Sequence, residues 1–302
     1  MLPRSLAVDV GGTKILAAVI DAAGAVLALT ERATEAALGG PAVLANMALA
    51  LGPLQLAYPE ALGLGISAAG VIDRVQARVI DATEAMPGWA GTDLRGHFEA
   101  RLGLPVQALN DVHAALGGEL AWGGLADAVP TTVVMLTLGT GLGGALAVNG
   151  KLLAGRQGLA GHVGRAKVLH DGQWRAVESL VSGTGLANLY RELGGELAAG
   201  AGARAVLAEP DRPLVQRALR LWVEHLAAQL HNLYWTLDPD VVLLGGGMLG
   251  AKDLWWPQLM AALVPLPLPV MPAALGNTAG VFGAAKALFE SLDIDTEART
   301  QP

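Results

Sequence analysis

Three glycine clusters set polar groups at the ends of apolar runs: DVGGTK from Asp9, LGTGLGG from Leu138, and the triplet Gly245–Gly247. Glycine lets backbone N–H groups approach phosphate oxygens with no Cβ between them. Gly11, Gly12, Gly139, Gly141, Gly245, Gly246 and Gly247 are therefore candidate phosphate contacts. Thr13 and Thr140 add hydroxyl donors, and Lys14 adds a cation. Asp9 offers a carboxylate to Mg²⁺, which prefers oxygen ligands and keeps several waters. Taken singly, each cluster also reads as an ordinary hairpin turn. A fourth group, Asn110–Asp111 in LND, ends a strand pattern and opens a helix pattern. Functional side chains of α/β folds collect at such places, although an Asp there also serves as a helix cap. The stretch GLAGHVGR adds His162 and Arg165 to a backbone built to bend.

The elements that must position these groups show an internal echo. SLAVDVGGTKILAAVIDAAGAVLAL from Ser5 reads as strand, glycine turn, strand, glycine turn, strand, and TTVVMLTLGTGLGGALAVNGKLLAG from Thr131 reads the same way. The repeat predicts two related α/β halves, each opening with a hairpin. Between the copies lie a helix from Pro41, strands at ALGLGIS and VQALND, and a helix over VHAALGGELAW. Beyond them, apolar residues at Leu214, Ala218, Leu221, Trp222, Leu226, Leu230 and Leu233 form a helical stripe. Its Asp211–Pro213 opening is a helix start. A buried strand then runs into Gly245–Gly247, and a helix from Ala279 closes the pattern. The polar last ten residues are expected to fray. A hinge near residue 110 would give domains 1–110 and 111–302, with the closing helix, about 279–292, crossing back to the first.

Composition narrows the classes. Hydrophobic residues make up 53% of 302 and charged residues 16%, which suits buried mixed sheet. The net charge of −7, with no Lys/Arg run, argues against a nucleic-acid or anionic membrane partner. With no cysteine, disulfides and thiolate metal sites are excluded. The opening residues lack a signal-peptide pattern, and no apolar run of about 18 residues lacks a charge, Gly or Pro. The simplest expectation is a cytoplasmic protein. GTGLGG formally fits G-x-G-x-x-G, but a strand pattern follows it where a dinucleotide fingerprint needs a helix.

Together these motifs resemble the ROK family (repressors, open reading frames and kinases), within the actin/hexokinase-like ATPase fold. DVGGTKILAAVID is similar to its first phosphate motif, LTLGTGLGG to its second, and VVLLGGGML to its adenosine motif. MPGWAGTDL, LND, VESLVSGTGL and GVFGAAKAL also follow the family pattern, so the resemblance covers almost the whole chain. It implies two domains of the ribonuclease H-like α/β fold with a nucleotide cleft between them. It further implies an ATP- and Mg²⁺-dependent sugar kinase acting on a 6-hydroxyl, with domain closure expelling water. Asp111 would be the base. Asn110, Glu178 and Gly70 would contact the sugar, and the glycine clusters with Asp9 would take Mg·ATP. Family members are usually homodimers.

The chain departs from the family at GLAGHVGR. Most members resemble G-x-A-G-E-x-G-H, with the Glu on the sugar and the His on sugar and zinc. Here His162 and Arg165 stand in those places. LHDGQWRA, residues 169–176, replaces the zinc cysteines. No structural zinc is therefore expected; His170 and Asp171 alone fall short of a closed four-ligand site. Arg165 would instead pair with a carboxylate such as Glu178, or face solvent. GLAGH is similar to a stretch in some bacterial N-acetylmannosamine kinases. A neutral imidazole accepts one bond and donates one, unlike a carboxylate, so His162 would suit an altered C2 substituent. Ala85 also stands where the family often has Asn. Glucose and N-acetylmannosamine are the leading candidate sugars. The alternatives are a non-catalytic sugar-binding sensor and a regulator of this family lacking a DNA-binding domain; the first strand begins by Ser5, which leaves no room for a helix-turn-helix ahead of it.

Overall fold

Runs of Val, Ile, Leu and Ala on both sides of each glycine turn make strands that bury both faces. In a computed structural model, described for residues 1–128, 130–294 and 296, these runs form two five-stranded sheets of matching topology. Contacts divide the chain into two units, one of Met1–Val129, Ala154–Ala160 and Ala274–Pro302, the other of Pro130–Leu153 and Gly161–Ala273.

In the first unit, β1 (Arg4–Val10), β2 (Lys14–Asp21) and β3 (Val26–Ala33) are an antiparallel meander. Helix α1 (Gly40–Ala57) follows, then β4 (Leu64–Ala68) and the small hairpin β5 (Val71–Asp73) and β6 (Arg78–Asp81). Helix α2 (Leu94–Leu102), β7 (Val106–Asn110) and α3 (Asp111–Trp122) complete its N-terminal part. The sheet order is β3-β2-β1-β4-β7, with β1, β4 and β7 parallel. Helix α1 has the length and apolarity of a membrane span, but Val43, Met47 and Leu51 are fully buried in this unit's core.

The second unit repeats the plan. Strands β8 (Thr132–Leu138), β9 (Leu142–Val148) and β10 (Lys151–Leu152) form its meander. A separate hairpin, β11 (Lys167–His170) and β12 (Gln173–Ala176), precedes α4 (Gly183–Glu192), α5 (Ala203–Val206) and α6 (Pro213–Leu237). Then come β13 (Val241–Gly245), α7 (Trp256–Leu263) and β14 (Val270–Pro272), giving the order β10-β9-β8-β13-β14. The α6 stripe packs inward, with Trp222, Leu226 and Leu230 at 0% exposure. Its cap position is Arg212, with no side-chain bond, and Pro213 starts the helix where a missing N–H is harmless. The closing helix α8 (Ala279–Ser291) belongs to the first unit.

The boundary falls after residue 129, not at the expected residue 110. The reason is packing: α3 continues directly from β7 and lies along α8, where Gly118 and Gly283 permit backbone-close contact. Most of the expected frayed end, residues 297–302, lies outside the described residues.

Candidate active site

Parallel strands bring their carboxyl ends together, and in the first unit those of β1, β4 and β7 carry Asp9, Ser67 and Asn110. Asp9 and Ser67 are register partners, and Ser67 Oγ donates to Asp9 Oδ1 at 2.5 Å. The Asp9 carboxyl group also packs against Gly280 in the first turn of α8, where any Cβ would overlap it. Burial pushes the Asp9 pKa up, against the Ser67 bond and the Lys14 charge, which pull it down.

Asp111 is the first residue of α3, and Asn110 is the helix cap. Asn110 Oδ1 accepts from the Val112 and His113 amides at 3.0 and 3.3 Å. Its Nδ2 donates to the Gly70 carbonyl and to Asp111 Oδ1, each at 2.8 Å. The full hydrogen-bonding capacity of the Asn110 amide is thus used. Sequence reading assigned Asn110 to the sugar and weighed Asp111 as the cap. The structure gives the cap to Asn110 and leaves Asp111 Oδ2 outside this network. A sugar contact by Asn110 would require one of its four bonds to be exchanged.

Burial, and then the nearby Asp9 charge, push the Asp111 pKa up to about 6. The Val112 amide and Asn110 bonds partly offset that rise. A carboxyl group titrating there is ionised at neutral pH yet basic enough to take a proton from a hydroxyl in a transition state. Gly70, at φ 107°, sits where a Cβ would meet the Asp81 carbonyl at 2.5 Å. Buried Trp89 of the P-G-W segment donates to the adjacent Ala69 carbonyl at 3.1 Å, fixing the turn that presents Gly70.

The first glycine cluster is the β1–β2 turn. Thr34 holds it by donating to the Gly11 carbonyl through Oγ1 and to the Thr13 carbonyl through N–H. Gly12 and Thr13 are exposed at its tip. Lys14, which sequence reading assigned to phosphate, pairs with Glu31 at 3.0 Å. That pair is solvent-exposed and weak enough to be exchanged for a phosphate.

In the second unit, a cavity of about 700 Å³ is lined by Gly139, Thr140, Gly183, Thr184, Arg204 and Met248, among others. The β8–β9 turn and the start of α4 are tied together here, the Gly183 and Thr184 amides donating to the Gly139 and Thr140 carbonyls. Ser182 caps α4 and is pinned by the indole N–H of Trp222 at 2.9 Å. Of the triple glycine, Gly247 lines the cavity. Gly245 ends β13, and Gly246, at φ 89°, packs on the Leu138 backbone.

Gly164 lies between the Leu142 carbonyl and the Glu178 side chain, which brings the His162–Arg165 turn beside Glu178. Glu178 Oε2 also lies close to Gly141, so His162, Gly141 and Glu178 form one neighbourhood. His162 is partly buried, whereas Arg165 and Glu178 are exposed. Sequence reasoning assigned no role to Ser67, Thr184 or Arg204. A polar residue ending the otherwise apolar strand ALGLGIS was the available sign for Ser67.

The ROK family model matches residues 5–291. The chain belongs to the ROK family. A glucokinase of Halalkalibacterium halodurans is 30% identical over 307 residues, covering 91% of this chain and 92% of the relative. An N-acetylmannosamine kinase of Escherichia fergusonii is 31% identical over 299 residues, covering 93% and 97%. The solved structure of a ROK family glucokinase from Streptomyces griseus, in complex with glucose and AMPPNP, superposes with a TM-score of 0.78 at 27% identity. That match covers 93% of this chain and 98% of the other. Like its ROK relatives, this chain is built on the actin-like ATPase fold, one five-stranded sheet in each unit. The cysteine set of the ROK zinc site is missing from this chain, so the usual thiolate site has no ligands here.

Proposed function

We propose that this ROK protein is an ATP-dependent sugar kinase that phosphorylates the 6-hydroxyl of a hexose or N-acylhexosamine. The observation that carries the proposal is Asp111, whose carboxylate is oriented by Asn110 at a helix start and has its pKa raised to about 6. The 30% and 31% identities to a glucokinase and an N-acetylmannosamine kinase support the substrate class.

Phosphoryl transfer needs positioning and charge neutralisation more than covalent work by the protein. Asp111 accepts the proton of the sugar hydroxyl as its oxygen bonds the γ-phosphorus and the bond to ADP breaks. The Asn110 clamp fixes Oδ1, so proton transfer falls to Oδ2. Asp9 serves the Mg²⁺ that enters with ATP, directly or through water, and the cation's charge holds that buried carboxylate ionised. The nucleoside occupies the cavity beside Thr140, Thr184 and Gly247. Gly139 and Thr140 hold the donor phosphates. Glu178 and His162 bind the sugar; imidazole in place of a carboxylate suits an acetamido-bearing or differently configured C2, as in N-acetylmannosamine, while glucose would require His162 to rebuild the ordinary hexose contact.

The test is sugar-dependent ADP release from Mg·ATP, with Asp111→Asn as the diagnostic variant. No release with any hexose or N-acylhexosamine would reject the kinase reading and favour a sugar-binding sensor.

A further inference from the structure

The residues that replace the ROK cysteine segment fold into β11–β12, a hairpin closed by Asp171 and Gly172. Both turn residues have positive φ, 46° and 75°, as a two-residue type I′ turn requires. This turn puts His170 and Asp171 beside the last residue of α4. His170 Nε2 lies 3.5 Å from Asp171 Oδ2 and 3.4 Å from Glu192 Oε2. The three donor atoms all lie within 4.8 Å of one another.

These separations carry a chemical message. A hydrogen bond between such groups is expected at about 2.7–3.2 Å. Donors arranged tetrahedrally about 2.0–2.1 Å from a Zn²⁺ ion lie about 3.4 Å apart. The two contacts of His170 therefore match donors spread around a small cation better than donors bonded to each other. Charge points the same way. Asp171 and Glu192 bring two negative charges, and Arg175, whose Nη1 is 2.7 Å from Glu192 Oε1, brings one positive charge. The Arg175 bond uses one oxygen of Glu192 and leaves Oε2 turned to His170.

His225 of α6 completes the setting. Its ring stands edge-on to His170, with centroids 4.9 Å apart. His170 is only 13% exposed, which gives the cluster one well-held anchor.

We infer that His170, Asp171 and Glu192 form a binding site for a divalent transition-metal ion of the Zn²⁺ type, with water as a further ligand. Its ligands differ from the thiolates that this chain lacks, and two of the three adjoin each other in the hairpin turn. Sequence reading stopped at His170 and Asp171 and expected no structural zinc; the fold adds Glu192 from another element. The bound ion would tie the hairpin to the end of α4. Imidazole in the set favours Zn²⁺ over Mg²⁺, which takes oxygen ligands.

Zinc binding is measured on the intact chain by titration calorimetry after chelator dialysis, with no nucleotide or sugar present. Thermal unfolding with and without Zn²⁺ is followed in parallel. The expected result is one Zn²⁺ per chain and a higher Tm with Zn²⁺. His170→Ala and Glu192→Gln should each weaken binding at least ~tenfold. Arg175→Met should tighten it several-fold, because a competing cation leaves Glu192. A purely structural ion-pair role predicts the opposite for Arg175→Met, namely a lower Tm and unchanged zinc affinity. Absence of stoichiometric binding overturns the site. So does binding that persists undiminished in both His170→Ala and Glu192→Gln, because the ion would then lie elsewhere.

Discussion

Asn110 Nδ2 donates to Asp111 Oδ1 and to the Gly70 carbonyl at the same distance, 2.8 Å. One amide thus connects the β4–β5 turn, the cap of α3 and the carboxylate assigned as base. The bond fixes which oxygen of Asp111 is occupied and which would be left to a substrate hydroxyl under the proposed function.

The first prediction concerns stability. The pKa of Asp111 is higher in the folded protein than its ordinary 3.8, at about 6. The folded state therefore holds the proton more tightly than the unfolded chain. Ionisation opposes folding fully above pH 6, and the penalty is relieved as pH falls from 6 toward 4. Asp111→Asn should be more stable than the parent at pH 7.5, on the order of 2 kcal/mol. That gain should shrink as the pH approaches 4. Denaturant unfolding at both pH values checks the sign and the trend.

The second prediction is a pH–rate profile. If Asp111 must be ionised to accept the proton, kcat/KM should fall on the acid side with an apparent pKa of about 6. Steady-state rates between pH 5 and 8 at saturating Mg·ATP test this. A flat profile down to pH 5 would remove Asp111 from the base role.

Asn110→Ala separates positioning from proton transfer. It deletes the helix cap, which costs about 1 kcal/mol, and frees Asp111 to rotate. The expected kinetic signature is a fall in kcat larger than the rise in sugar KM. A change confined to KM would mean that Asn110 acts by binding sugar directly.

Gly70→Ala tests the same cluster from the other side. At φ 107°, with a Cβ forced to 2.5 Å from the Asp81 carbonyl, alanine must move the turn. Strain of this kind costs about 1–3 kcal/mol, and the displaced carbonyl releases Asn110. Unfolding and kcat should both suffer, measured by thermal denaturation and steady-state kinetics.

Much of the fold was legible because both meanders carry it locally. Apolar strands on either side of Gly11–Gly12 and Gly139–Gly141 become β1–β2 and β8–β9, and the stripe from Leu214 becomes α6. Hidden features depended on distant contacts. The boundary after residue 129 follows from α3 packing on α8, and the bond between Ser67 and Asp9 spans 58 residues. Asn110 and Asp111 were both visible at a strand-to-helix junction, yet which of them caps α3 depends on where Gly70 lies. The β11–β12 hairpin is signalled in the sequence only by the Asp171–Gly172 turn pair, because its two four-residue strands are half-exposed and carry no buried apolar alternation.

The cavity of the second unit offers an independent test of the donor site. Gly247 lines it and has open space where a side chain would go. Gly247→Leu should therefore fold normally while occupying volume that the proposed nucleoside position needs. KM for ATP should rise at least ~tenfold with little change in sugar KM, since a misplaced buried side chain costs about 1–3 kcal/mol. Equal effects on both constants would place the nucleoside elsewhere.

The most direct measurement is ADP release from Mg·ATP with glucose, mannose, fructose, N-acetylglucosamine and N-acetylmannosamine, for the parent chain and Asp111→Asn. The account predicts release that depends on sugar, favours glucose or N-acetylmannosamine, and falls at least ~10²-fold in the variant while calorimetry still detects sugar binding. Sugar-dependent release that survives in Asp111→Asn, or none from the parent with any of the five, would contradict it.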